Sequence, residues 1–143
     1  MANLIKWGTP ETITTLHTTT LDGLTTNTLS AAGTAYDNGT TKATFAAFEV
    51  YLASLTPAAG GYVALYLAPR PDGSNYADVK REYAHQLIGT LALDTAAATK
   101  RIVLPGVQIP PTAFYVYLDN QAGVTLASSG NTVKILPYNY ELQ

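Results

Sequence analysis

Residues 44–68 read TFAAFEVYLASL, then TPAAGG, then YVALYLA, and this stretch decides the fold. Both flanking runs are rich in Val, Tyr, Phe and Leu, which favour strands. The segment between them contains Pro57, Gly60 and Gly61, which favour a turn. The pattern predicts a β-hairpin. Both runs are too apolar for the edge of a sheet, so we expect the hairpin to lie in its middle.

Alternation divides the side chains of this stretch between two faces. The predicted core face consists of Ala46, Phe48, Val50, Leu52 and Ser54, with Val63, Leu65 and Leu67. The predicted outer face consists of Phe45, Ala47, Glu49, Tyr51 and Ala53, with Tyr62, Ala64 and Tyr66. Small and aromatic side chains facing outward fit either a second packed layer of the same domain or a contact with another subunit, and the sequence leaves both open.

The rest of the chain repeats short apolar runs between turn signals. Strands are predicted within residues 12–29 on either side of a turn at Asp22 and Gly23, and within residues 87–93, 113–119 and 131–138. Another covers residues 100–109, interrupted at Pro105 and Gly106, and a further strand is predicted to start at residues 124–127. In residues 113–119, Tyr115 and Tyr117 point outward. A turn is predicted at residues 37–39, the longest loop at 69–78, and a short helical turn within 79–86.

Turn signals every 8–12 residues with no amphipathic helix are typical of all-β folds. The sequence therefore predicts one antiparallel β-sandwich or jelly-roll domain of about eight strands over residues 1–143. Residues 1–12 form a predicted N-terminal arm and residues 138–143 a C-terminal tail.

Composition excludes several classes of function. Charged residues make up only 13% of the 143 residues, about half the usual share of roughly 25%. The net charge of −2 and the dispersed basic residues predict no nucleic-acid partner. No apolar run reaches the length of a membrane helix, and the start MANLIKWGTPE does not resemble a signal peptide, so we expect no membrane partner and no secretion.

The residues that usually carry chemistry do not form a recognisable site. The chain has no cysteine, and His17 and His85 lack the spacing of a zinc site. Glu49 is the one acidic residue within an apolar strand, and we expect it to be a paired structural group or an interface contact. Asp72, Asn75 and Asp78 lack the spacing of an EF-hand. The sequence predicts no enzyme activity, no catalytic residue, no cofactor and no metal.

Several segments together resemble a known type of protein. These are FEVYLASLTPAAGGYVALYL, DGSNYAD, LDTAAATKRIVLPGVQIPP and FYVYLDNQAGVTLASSGNTVKILPYNYEL, within residues 44–142. They resemble small structural proteins of tailed bacteriophages, in particular the jelly-roll capsid cement (decoration) proteins of short-tailed phages.

This resemblance implies a protein made in the cytoplasm of the bacterial host and located on the capsid exterior of the virion. It implies binding outside an HK97-type shell, at symmetry axes or across capsomer joints, with the major capsid protein and further copies of itself (a dimer or trimer) as partners. The candidate interface residues are large aromatic side chains, which give much contact area at low entropic cost: Trp7, Tyr51, Tyr66, Tyr115, Tyr117, Tyr138 and Tyr140.

Two other functions fit the same pattern. One is a carbohydrate- or receptor-binding jelly-roll module of a phage particle, with its site in the loop at residues 70–76. The other is a tail or head–tail adaptor subunit. The resemblance implies hundreds of copies per particle for a cement protein and about a dozen for an adaptor, so copy number separates them.

Overall fold

The computed structural model describes residues 5–9 and 11–142, and most regular structure in them is β-strand. Strands of a four-stranded sheet are β2 (Thr14–His17), β10 (Thr132–Tyr138), β5 (Phe45–Leu55) and β8 (Ala98–Gln108), in that spatial order. Strands of a five-stranded sheet are β3 (Thr28–Leu29), β9 (Ala113–Gln121), β6 (Tyr62–Pro69) and β7 (Leu87–Ala92), with β4 (Tyr36–Asp37) also paired to β9. β1 (Ile5–Trp7) and β11 (Tyr140–Leu142) form a separate two-stranded ribbon.

The strand pairs are nested along the chain. β2 pairs with β10, β3 and β4 pair with β9, β5 pairs with β8, and β6 pairs with β7, all antiparallel. This is a long hairpin folded over on itself into two sheets, which is the topology of a jelly roll. The predicted antiparallel sandwich is confirmed. Within the described residues the two sheets hold nine strands rather than about eight, because two short strands, β3 and β4, both pair with β9.

The predicted hairpin at residues 44–68 was wrong. β5 pairs with β10 and β8 in one sheet, whereas β6 pairs with β9 and β7 in the other. The segment between them crosses from sheet to sheet and is fixed there, since the Ala58 amide donates to the Ala122 carbonyl at 2.8 Å and the Leu93 amide to the Gly61 carbonyl at 2.9 Å. Each strand has one strongly apolar face, and packing these faces against each other buries both.

The predicted core faces are confirmed. The buried side chains between the sheets include Phe48, Val50, Leu52, Val63, Leu65, Leu67, Phe114, Val116, Leu118, Val133 and Ile135. Both central strands lie inside their sheets, as their apolar composition predicts. Ser54 is the exception: it is exposed and Leu55 is buried, because the pairing register of β5 shifts between Leu52 and Leu55.

The strands predicted within residues 12–29 are present as β2 and β3, on either side of a turn at Gly23 with a φ of 67°, and they lie in opposite sheets. Two other local predictions need correction. Residues 124–127 form no strand. β8 continues through Pro105 and Gly106 as a bulge opposite Ala47, which an edge strand tolerates because its outer amides need no ladder partner.

Two short helical turns are present. The turn predicted at residues 37–39 belongs to α1 (Asn38–Thr41), which Asp37 caps by accepting the Gly39 amide at 3.0 Å. A 3₁₀ turn, Ala84–Gln86, lies within the region where a helical turn was predicted. No helix in residues 5–9 and 11–142 is long and apolar enough to cross a membrane.

The predicted arm and tail pair with each other. Ile5 lies opposite Leu142 and Trp7 opposite Tyr140, and the Gly8 amide donates to the Asn139 carbonyl at 2.7 Å. This terminal ribbon continues the β2–β10 pair beyond Tyr138, where the pairing of β10 with β5 ends at Phe45. Residues 1–4, 10 and 143 of the predicted arm and tail lie outside the described residues.

Candidate interaction surface

The outer faces of the two sheets differ in how much of them the chain itself covers. On the five-stranded sheet, the outward side chains Ala64, Tyr66, Ala68 and Asp119 are all buried. Residues 70–86 cover them, and we call this side the covered face. Of the two alternatives that the sequence left open, the outer face of β6 at residues 64–68 therefore shows the first: it packs against a second layer of the same domain, whereas Tyr62 is exposed.

The covering segment is fixed at several points. Arg81 donates from Nε and Nη2 to Asp119 Oδ1, at 2.9 and 2.6 Å. The Gln86 side-chain amide donates to the Asp78 carbonyl at 2.8 Å. The Tyr76 ring centroid lies 4.0 Å from that of Tyr115. These contacts hold the covering segment against β9 and against itself.

Tyr66 has little exposed surface. It points outward, as alternation predicts, but only 6% of it is exposed, because the covering segment lies above it. Its burial, with the nearby Asp119 charge as a smaller cause, raises the pKa of its hydroxyl above the usual value. Its role at an interface stays a prediction.

Tyr115 and Tyr117 lie on the covered face and are half-buried. Their rings meet edge to face, with centroids 6.4 Å apart. Burial raises the pKa of the Tyr117 hydroxyl. The Arg70 guanidinium lies 5.2 Å from the Tyr76 ring centroid. Arg70, Tyr76, Tyr115 and Tyr117 form an aromatic cluster beside the exposed loop at residues 71–75.

No such segment lies over the four-stranded sheet in the described part of the chain, and we call its outer side the open face. Its centre is a shallow cavity of about 280 Å³, lined by apolar side chains of Ile13, Ala47, Val103 and Leu136 with charged neighbours. Ile13 is 60% exposed and Val103 51% exposed. Large aliphatic side chains exposed together are typical of a surface that another molecule covers.

Three charged residues line the same cavity. Arg101 donates to Glu49 Oε2 at 2.9 Å, and Lys134 Nζ lies 3.9 Å from Glu49 Oε1. The Arg101 guanidinium also lies 5.1 Å from the ring centroid of Tyr51. Glu49 is thus paired, as the first of the two predicted alternatives requires, and its role as an interface contact stays a prediction. The pairing follows from register, because Glu49 lies beside Lys134 on β10 and Tyr51 beside Arg101 on β8.

An aromatic group lies at the ribbon end of the open face. Phe45 stacks on Tyr138 with centroids 6.1 Å apart and meets Tyr140 edge to face at 5.3 Å. Tyr51, Tyr138 and Tyr140 are thus the interface candidates that this side of the molecule brings together. The backbone of Trp7 pairs with Tyr140 in the terminal ribbon, while the Trp7 side chain lies outside the described residues.

The two histidines and the acidic loop residue Asp72 each have contacts of their own. His17 is buried between the sheets, with Nε2 2.7 Å from the Val116 carbonyl oxygen and Nδ1 2.5 Å from Thr20 Oγ1. His85 is exposed and stacks on Tyr83. Asp72 accepts the Ser74 and Asn75 amides, which lowers its pKa to about 2. In residues 5–9 and 11–142, no group of three or more His, Cys, Asp or Glu residues is arranged to hold a metal ion.

Sequence reasoning missed both the covering of one face and the cavity in the other. The covering segment has no apolar periodicity, and its main attachment joins Arg81 to a residue 38 positions away. One weak sign of the cavity is present in the sequence, because Ala47 is a small outward residue in the central strand. The walls of the cavity come from four separate segments, which the sequence alone does not bring together.

No protein-family model matches the chain, and no curated protein was found to be similar to it. The fold itself defines the chain as a jelly-roll domain with one covered and one open face. The likeness to phage cement proteins stays a prediction.

Proposed function

We propose that this chain is a structural virion protein that binds the outer surface of an HK97-type phage capsid and stabilises the joints between capsomers. The observation that carries the proposal is the open face, where exposed Ile13 and Val103 surround an apolar cavity in a sheet that the described chain leaves uncovered. The low charge content of the chain, 13%, supports a surface that is largely in contact with other proteins.

Binding through this face gives a physical basis for cementing. Burying the exposed aliphatic side chains and the tyrosine rings of the open face against the shell contributes hydrophobic free energy at roughly 25 cal/mol per Å² of apolar area. A protein that binds only the assembled shell stabilises it by mass action, so shell stability rises with occupancy. Copies that cross a joint between capsomers oppose its opening under internal pressure.

Co-sedimentation tests this function directly. Purified protein is mixed with mature capsids that lack it, the mixture is separated on a gradient, and the copies per particle are counted. We expect saturable binding at hundreds of copies, with a stoichiometry that identifies the symmetry axis and whether dimers or trimers bind. Protein that stays in the supernatant at all concentrations would contradict the proposal, and saturation near a dozen copies would favour an adaptor.

A second candidate, binding of carbohydrate, is favoured by the aromatic cluster on the covered face. Tyrosine rings beside a polar loop and the Arg70 cation combine flat apolar surface with hydrogen-bond donors. A glycan array probed with the isolated protein tests it. Binding that Tyr76→Ala abolishes and Tyr83→Ala retains would support this function, whereas an array without signal would count against it.

A further inference from the structure

We infer that the open-face cavity receives an apolar side chain from a capsid-protein segment that carries a carboxylate beside it. This inference rests on the proposed function and specifies the chemistry of the partner. Two independent features of the open face lead to it: the shape around Ala47 and the charge balance around Glu49.

The cavity exists because side-chain bulk is missing at its floor. Ala47 points outward from the central strand β5, opposite Leu136 on β10 and the Pro105–Gly106 bulge of β8. Ile13 and Leu136 stand on one side and Val103 on the other. A volume of about 280 Å³ between them has room for a large aliphatic or aromatic side chain.

The charges around the cavity do not cancel. Two cations, Arg101 and Lys134, share the single carboxylate of Glu49, so the cluster carries one net positive charge within a chain of net charge −2. Arg101 keeps 62% of its side chain exposed while Glu49 and the Tyr51 ring hold its guanidinium in place. A guanidinium positioned in this way binds a further carboxylate well, because little side-chain freedom is lost on binding.

The same charge balance argues against a second copy of this chain as the occupant. A symmetric dimer through the open face would place the same positively charged cluster on both sides of the interface. Like charges across an interface disfavour association, whereas an acidic partner compensates them. A capsid-protein segment with an apolar residue next to Asp or Glu satisfies both the shape and the charge.

Paired substitutions on β5 test the shape. Ala47→Leu fills the cavity from its floor, whereas Ala53→Leu adds the same bulk to the same outer row about 20 Å away. In the co-sedimentation assay with capsids that lack the protein, we expect Ala47→Leu to raise the Kd at least about tenfold and Ala53→Leu to change it less than about twofold. Thermal unfolding of each variant verifies that it is folded.

Substitutions of the charged residues test the partner's chemistry without adding bulk. Glu49→Gln removes the carboxylate that competes with the partner, so we expect binding about threefold tighter than wild type at low salt, with a steeper salt dependence. Lys134→Gln should weaken binding by a similar factor. If the main effect of Glu49 on binding were to hold Arg101 in place, Glu49→Gln would instead weaken binding.

The outcomes separate the two proposals. Wild-type protein that does not bind capsids contradicts the proposed function. Wild-type protein that binds, with Ala47→Leu and Ala53→Leu binding equally or with Glu49→Gln binding more weakly, overturns the inference and leaves the function intact. A change of oligomeric state in Ala47→Leu, seen by sedimentation velocity without a change in capsid affinity, also overturns it and identifies a second copy as the occupant.

Discussion

At the scale of single residues, buried asparagines hold the loops of the jelly roll in place. Asn38, Asn120 and Asn131 are fully buried, and each uses both its side-chain N–H groups and its side-chain carbonyl. Asn38 lies in the predicted turn at residues 37–39, whereas Asn120 directly follows the strand predicted at 113–119 and Asn131 begins the strand predicted at 131–138. Composition alone does not reveal that these amides point inward.

Asn120 allows a direct test of how much one buried asparagine contributes to stability. Its Nδ2 donates to the Leu24 and Val124 carbonyls at 2.9 Å each, and its Oδ1 accepts the Ala122 amide at 3.0 Å. Asn120→Ala leaves three main-chain groups without these partners, so we expect the free energy of unfolding to fall by about 2–4 kcal/mol in urea denaturation. The exposed Asn75→Ala is the control, with an expected change within about 0.5 kcal/mol. Equal losses in both variants would contradict this account.

His17 makes the stability of the protein depend on pH. Its Nε2–H donates to the Val116 carbonyl oxygen, and in the neutral ring Nδ1 accepts from the Thr20 hydroxyl. Burial lowers the pKa of His17 below its usual value of about 6.5. Below that pH the unfolded chain binds a proton that the folded chain excludes, and the free energy of unfolding falls, with a slope of at most about 1.4 kcal/mol per pH unit.

Urea denaturation between pH 8 and pH 5 measures this slope. The carboxyls with lowered pKa values, Asp72 and Asp94, contribute only at more acidic pH, because their unfolded values are about 3.9. His17→Gln should remove most of the slope, and the exposed His85→Gln should retain it. Wild-type stability that stays constant over this range would show that His17 is not held neutral by the fold.

At the scale of strands and loops, alternation identifies faces but not partners. It correctly assigned the inward residues of β5 up to Leu52 and those of β6 and β9, because burial of one face fixes the alternation. It did not determine whether β5 and β6 pair side by side or pack face to face, since both arrangements bury the same residues. The crossing depends on hydrogen bonds from Ala58 and to Gly61 that involve residues far away in sequence.

The attachment of the covering segment depends mainly on Arg81. Asp119 has a side chain only 4% exposed, and Arg81→Ala leaves it with Gln121 as its remaining side-chain donor. We expect the free energy of unfolding to fall by about 1–3 kcal/mol. This loss is smaller than for a fully buried ion pair, because the Arg81 side chain is 35% exposed. Limited proteolysis within residues 70–86 should become faster. Lys80→Ala is the neighbouring control, and cleavage of both variants at the wild-type rate would exclude this role for Arg81.

At the scale of the whole molecule, the jelly roll was predictable but the distribution of its tyrosines was not. Alternation predicts that Tyr51 and Tyr115 both point outward and does not distinguish them. They nevertheless lie on opposite sides of the sandwich, because β5 and β9 belong to different sheets. Tyr66, also outward, is buried by residues 70–86. One flat partner surface therefore cannot contact all the predicted interface residues at once, and the candidates divide between the open face and the aromatic cluster.

This division predicts the orientation of the protein on the shell. If the open face binds the capsid, the covered face points away from it, together with residues 70–83 of the covering segment. This follows because the outer faces of a sandwich are opposed. Hydrogen exchange measured on free and capsid-bound protein should slow in β8, an edge strand of the open face, and remain unchanged in residues 70–83. The central strand β5 is a poor reporter, since ladders on both sides already protect it. Slower exchange confined to residues 70–83 would instead place the capsid on the covered face and assign the contact to Tyr115 and Tyr117.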